Sequence, residues 1–209
     1  MSYLLRVELP DVPGSLGRLA SAIGSVGGNI NAIEIVEHGS DGCAVDDVFF
    51  EADPGVMPDS VVSACNGLEG VRVLWISRYG AGGNLFLDLE AVESMTEEPA
   101  HAANRLVDML PAVFRVDWGL RVRRDGEQVV LVHGTTAAPT SIPDGLRWRD
   151  FARAERLELE QWPDLLLAAC PLGKDQLVLI ARRGGPEILD SEIARLAHLV
   201  ALAGSISRR

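Results

Sequence analysis

Six residues, Asp11-Val12-Pro13-Gly14-Ser15-Leu16, constrain this chain more than any other stretch, because they bend it sharply between an apolar run, Tyr3 to Leu9, and a helical pattern. Pro13 fixes its own φ near the helical value and lacks an N–H that would be orphaned in a first turn, while Gly14 leaves the backbone open to close approach. The N–H groups of Gly14, Ser15 and Leu16 then point out of a helix N-terminus, where hydrogen bonds and the helix dipole both favour a carboxylate or phosphate. Asp11 beside them suits an ammonium. An anion site next to a carboxylate fits an α-amino acid better than a nucleotide. The same residues also serve as a capped strand-to-helix turn with no ligand at all.

The residues beyond the turn extend the pattern. Leu16, Leu19, Ala20, Ile23 and Val26 recur at helical spacing, and Gly27-Gly28 supplies a glycine C-terminus. Asn29 to Glu37 alternates over much of its length, His38-Gly39-Ser40-Asp41-Gly42 signals a turn, and Cys43 to Glu51 forms a second run, so the three predict a hairpin. Pro58 to Leu68 carries Val61, Cys65 and Leu68 on one helical face, and Val71 to Tyr79 predicts a last strand. Strand, helix, strand, strand, helix, strand is the split βαβ order of a ferredoxin-like sandwich, in the α+β class.

From Tyr3 to Tyr79 the chain resembles the ACT domain, an amino-acid-binding regulatory module. The resemblance rests on Asp11-x-Pro13-Gly14-x-Leu16, on Gly28-Asn29-Ile30 at the start of the second strand, and on the element order. It implies an effector held by Asp11, Val12, Pro13, Gly14, Ser15 and Leu16 together with Asn29 and Ile30, usually where two such domains meet side by side. Asn29 offers an amide donor and acceptor where the first helix hands back to the sheet. The chain departs from some amino-acid-binding members at Leu9, where they have a polar side chain.

Gly80-Ala81-Gly82-Gly83-Asn84 has neither the G-x-G-x-x-G spacing nor the G-K-[ST] element of a phosphate loop, and is expected to be a hinge. Residues 80–95 are thus expected to be a glycine-rich linker and docking segment, with Leu85 to Met95 a short strand or helix. A second domain is expected over 96–209. Ala103, Leu106, Val107 and Leu110 make an amphipathic helix, and Trp118 to Arg124 and Gln128 to Gly134 pair around Asp125-Gly126. Leu165 to Leu172 and Gln176 to Arg182 predict two more strands, and Asp190-Ser191 is expected to cap a last helix. Together these elements make an antiparallel sheet flanked by helices. This half resembles a GAF domain through Ala169-Cys170-Pro171-Leu172, Leu177-Val178-Leu179-Ile180 and Leu189-Asp190-Ser191-Glu192-Ile193. The resemblance implies a sensory or dimerising module. Cys170 is followed by Pro171 rather than the histidine of bilin-carrying members, and no Asn-Lys-Phe-Asp-Glu series appears.

Charge narrows the partners. The net formal charge of −11, of which −7 falls in the first 79 residues, argues against nucleic acid, which needs a basic face. Arg121 and Arg123 share a strand face and are expected to be solvated. No apolar run approaches the ~20 residues of a membrane span, and no signal-peptide pattern is present, so no membrane partner and a cytoplasmic location are expected. Cys43, Cys65 and Cys170 lie singly in apolar runs and predict reduced core thiols, with no cofactor or metal.

Catalysis finds little support. His38, His101, His133 and His198 have no spacing that sets two on one helical face, and no G-x-S-x-G elbow occurs. Asp46 and Asp47 on one strand face opposite ways. The leading expectation is a non-catalytic regulatory homodimer that senses a small amino acid through residues 1–79 and couples it to the GAF-like half. One alternative is a subunit that docks on a metabolic enzyme or transcription factor without a ligand. The other is an uncharacterised enzyme.

Overall fold

The computed structural model describes residues 1–39, 42–78 and 84–208. The described residues form a mixed α+β structure with two antiparallel sheets and five α-helices, and the chain divides into compact units Met1–Ala81 and Gly82–Arg209. None of its described helices is long and apolar enough to cross a membrane. The glycine run 80–83, Tyr79 and the turn residues Ser40 and Asp41 lie outside the described residues.

The first unit runs β1 (Ser2–Pro10), α1 (Ser15–Ser25), β2 (Gly28–His38), β3 (Cys43–Ala52), α2 (Pro58–Asn66) and β4 (Arg72–Arg78). Its strands lie in the order β2-β3-β1-β4, all antiparallel, so β2 and β4 are the edges. Alternation decides the core: Tyr3, Leu5, Val7 and Leu9 of β1 share a face with Val48 and Phe50 of β3, and Leu19, Ile23, Val61 and Cys65 of the helices pack on it. Each such side chain, taken from water, contributes about 1.5–3 kcal/mol before the entropy of ordering it is set against it. Tyr3 stacks on Phe50 with ring centroids 5.6 Å apart. On the alternate positions of the same strands, Arg6 and Asp47 form a buried two-bond ion pair, Nε to Oδ1 at 2.7 Å and Nη2 to Oδ2 at 2.9 Å.

The second unit runs α3 (Asn84–Glu97), a 3-10 turn (Pro99–His101), α4 (Ala102–Phe114), β5 (Trp118–Asp125), β6 (Gln128–Gly134), β7 (Glu155–Leu157), β8 (Leu165–Pro171), β9 (Gln176–Arg183) and α5 (Asp190–Ile206). Leu85 to Met95 is thus one helix, with Ala91 and Met95 fully buried against α4 and α5, so this segment, expected to be a linker and docking segment before a second domain at 96, belongs to the second unit. Thr96 and Glu97 close α3, and Glu98 leads into the 3-10 turn. The sheet order is β6-β5-β9-β8-β7. Strands β8 and β9 are buried on both faces: Ala168, Cys170, Val178 and Ile180 point to the helices, while Leu167, Ala169, Leu177 and Leu179 join a second core. That core is closed by the irregular chain between β6 and β8, which contributes Ile142, Trp148, Phe151, Leu159 and Trp162.

One arginine ties this unit together. Arg115 ends α4 in a left-handed conformation, φ 51°, and Arg182 of β9 donates to the carbonyls of Phe114 (2.8 Å), Arg115 (3.4 Å), Pro186 (3.0 Å) and Glu187 (3.4 Å). It also binds Glu192 Oε1 at 2.9 Å, and Glu192 Oε2 accepts the N–H of Leu189 at 2.8 Å. The cap of α5 is therefore Glu192 reaching back over Leu189, and Asp190, expected to cap it, pairs instead with Arg156 at 2.7 Å. Arg195 of α5 adds a bidentate pair to Asp88 of α3 and a bond to the Val113 carbonyl.

Candidate functional site

The turn after β1 is built as its sequence requires. Gly14 stands before α1 with φ 91°, a left-handed conformation that side chains rarely adopt, and a Cβ there would meet nothing within 4 Å. The backbone is therefore open on that side. Gly14 accepts the N–H of Arg18 (3.1 Å), whereas the N–H of Ser15 is spent inside the turn on the Val12 carbonyl (3.2 Å). Of the three donors expected to be free, Gly14 and Leu16 have no acceptor among the described residues. Ser15 itself is buried, its hydroxyl taken by Arg18 at 3.1 Å, while Val12, Pro13 and Leu16 are exposed.

Two groups beside the turn escaped the sequence reading. His38, at the end of β2, holds Asp11 through Nδ1 and Oδ2 at 3.1 Å, both side chains more than half exposed. Asp46 lies in the rung Val7, Asp46, Ile35, on the face that carries Val48 and Phe50. It is 1% exposed, and its Oδ1 has no hydrogen-bond partner. Burial first, and then the charge of Asp11, push its carboxyl up to about 6, and the nearby His38 offsets part of that. The signal was present in the sequence: two carboxylates in the middle of an apolar strand cannot both be on a solvated face. Asp47, pointing the other way, is neutralised by Arg6.

Asn29 and Ile30 are elsewhere. Asn29 is opposite Glu51, which is opposite Ser2, whereas Pro10, next to the turn, is opposite Cys43. Eight residues of strand, about 26 Å, separate the two places. The expectation that Asp11 and Asn29 meet around one turn is therefore corrected: α1 runs back along the sheet and delivers the chain to its other end. Within one chain the eight candidate residues form two groups, Asp11 to Leu16 with His38 at one end of β2, and Asn29 with Ile30 at the other.

Other chemistry-bearing side chains are dispersed. Among the described residues, no three His, Cys, Asp or Glu side chains are gathered as a metal would need. Burial raises the Cys65 and Cys170 thiols to about 11 and about 12, which leaves them unreactive at neutral pH. Arg121, expected to be solvated, is instead half-buried between Gln176 (2.7 Å) and Asn104 (2.7 Å).

No protein-family model matches the chain. Over 78 residues it is 35% identical to NAD-dependent malic enzyme 1 of Bacillus subtilis (strain 168), a stretch that is 37% of this chain and 18% of that enzyme. The chain thus spans under one fifth of that relative. Its structural neighbours include GAF domains. The one from an Acinetobacter phosphoenolpyruvate-protein phosphotransferase is 10% identical, with 62% of this chain and 95% of that one covered and a TM-score of 0.46. Free methionine-R-sulfoxide reductase from Neisseria meningitidis, solved with its substrate, is 12% identical, with 63% and 94% covered and a TM-score of 0.47.

Proposed function

We propose that the first unit is a ferredoxin-like, ACT-type effector module that takes an α-amino acid at a seam between two copies of the chain, and that the protein is regulatory rather than catalytic. The order βαββαβ with strands arranged β2-β3-β1-β4 supports the fold reading. The observation that carries the function is the split of the candidate residues between the two ends of one edge strand. If β2 pairs antiparallel with β2 of a second copy, the Asn29 end of one strand comes level with the His38 end of the other. Asn29 of one chain then faces the open Gly14 turn and Asp11 of its neighbour, and each of the two sites is complete only in the dimer. Such pairing also covers an eleven-residue edge whose N–H and C=O groups otherwise face solvent.

In this arrangement the ligand carboxylate takes the N–H groups of Gly14 and Leu16, and its ammonium is held by Asp11. Binding across a seam favours one orientation of the two subunits, which is the lever by which the signal reaches the second unit. The cytoplasmic location belongs to the same proposal. A thermal-shift screen of the twenty amino acids tests it: a ligand of the folded dimer raises the melting temperature by a logarithmic function of its concentration. A chain that stays monomeric at micromolar concentration, or that none of the twenty stabilises, refutes it. A second reading, a module that docks on a metabolic enzyme, is favoured by the 78-residue likeness to part of an NAD-dependent malic enzyme. Under that reading, the chain binds a partner enzyme in pull-down yet no amino acid raises its melting temperature.

A further inference from the structure

Arg121 differs from the other arginines that the fold shields from water. Arg6, Arg182 and Arg195 each hold a carboxylate, whereas Arg121 of β5 is gripped by two neutral amides: its Nε donates to Gln176 Oε1 of β9 and its Nη1 to Asn104 Oδ1 of α4, both at 2.7 Å. It pairs with no carboxylate among the described residues. Burial pushes its guanidinium below the usual range, because the charge is taken from water without a counter-charge. The carboxylates around it are committed elsewhere. Asp108, one turn beyond Asn104 on α4, is 2.7 Å from His133, the residue opposite Arg121 on β6, and Glu98 takes Arg105 at 3.1 Å.

We propose that Arg121, Arg123, Asn104 and Gln176 bind the phosphate group of a small phosphomonoester on the helix-covered face of the second sheet. The donors are left over together. Two of the five N–H groups of the Arg121 guanidinium are used, and the side-chain NH2 groups of Asn104 and Gln176, whose oxygens face Arg121, have no acceptor among the described residues. Arg123 shares the face two residues on, directly opposite Gln176, and is exposed with no carboxylate partner among the described residues. Charge and donor number set the class. A phosphomonoester carries a charge of about −1.5 to −2 and three acceptor oxygens, which match two cations and two amides. A carboxylate, with one charge and two oxygens, would engage the Arg121 fork and leave the rest unused. The net charge of −11 sets the size, since it repels an extended acidic partner. The site belongs to the second unit alone, so its failure would leave the amino-acid reading of the first unit standing.

The test uses the full chain, labelled with ¹⁵N, and follows the Nε–H resonance of Arg121, which its bond to Gln176 protects from exchange. Arg121→Lys identifies that resonance by its loss. A reporter at Arg121 also keeps this site apart from any anion taken by the Gly14 turn. At constant ionic strength and a pH above the second phosphate pKa of about 6, inorganic phosphate is expected to shift the resonance with a Kd below about 1 mM, and acetate to bind at least ~10-fold more weakly. Glycerol 3-phosphate should bind at least as tightly as inorganic phosphate. Gln176→Glu, which gives Arg121 a carboxylate in the same place, should abolish phosphate binding, and Arg123→Ala, an exposed change that the fold tolerates, should weaken it at least ~3-fold. Absence of a shift up to about 20 mM phosphate overturns the site, as does unchanged affinity in the Gln176→Glu or Arg123→Ala variant. Equal affinity for acetate overturns the phosphate class, and tighter binding of a phosphoserine peptide than of glycerol 3-phosphate overturns the small-molecule ligand.

Discussion

Both units bury charge in their sheets, and they treat it in opposite ways. In the second unit Arg182 meets four carbonyls and the Glu192 carboxylate, and Glu192 spends its other oxygen on Leu189. In the first, Asp46 is as deeply buried yet keeps an oxygen with no partner, one rung from the Arg6–Asp47 pair that is satisfied. A saturated buried charge holds helix ends in position. An unsaturated one costs stability, and here it lies beside the Asp11–His38 pair, at the end of the sheet where the effector is proposed to bind.

The sharpest way to break this contrast is Arg182→Leu. It strands Glu192 and the carbonyls that end α4, and removing one partner of a buried pair costs about 3–5 kcal/mol. Urea denaturation should register that loss; a change under about 1 kcal/mol would mean that the network is decoration. Asp46→Asn should act in the other direction. The folded-state pKa of Asp46 is raised above its unfolded value, so the neutral form fits the fold, and the native chain loses stability as pH rises from about 4 through about 6. The asparagine variant, neutral throughout, should therefore be more stable than the native chain by roughly 1–3 kcal/mol at pH 7 and equal to it near pH 3.5. Equal stability at both pH values would remove the contrast. The smallest effect on the fold belongs to Asp11→Ala. Its pair with His38 is exposed and worth under about 0.5 kcal/mol, yet the loss of one charged hydrogen bond should weaken amino-acid binding ~10-fold by calorimetry. An unchanged affinity would remove Asp11 from the site.

Much of the fold was legible because its signals are local. The Pro13-Gly14 turn, the alternation of Tyr3, Leu5, Val7 and Leu9, and the Asp125-Gly126 hairpin each announce themselves within a few residues. The register does not. Arg6 and Asp47 are 41 residues apart, and nothing short of strand pairing couples them. Leu85 to Met95 is apolar on too many sides for periodicity to separate helix from strand, and only its packing on α4 and α5 decides the matter. Three-residue β7 is below what any pattern can resolve. The distance between Asp11 and Asn29 was within reach, however: a helix after a strand carries the chain back the way it came, so the residues at its two ends belong to opposite ends of the sheet.

The strand order of the second sheet has a consequence for how the protein is made. Its central strand, β9, joins β5 to β8, with Trp118 opposite Ala181 and Leu167 opposite the same residue, so the middle of the sheet is synthesised after both its neighbours. On the ribosome the first unit has all its strands once residue 78 has emerged, whereas β5 and β8 must wait as open edges until 176–183 arrive between them. Pairings so distant in sequence form slowly. A chain that stops before residue 176 therefore carries one finished unit and two apolar strands, each paired on one side only, and should collect in the aggregated fraction rather than as a shorter folded protein.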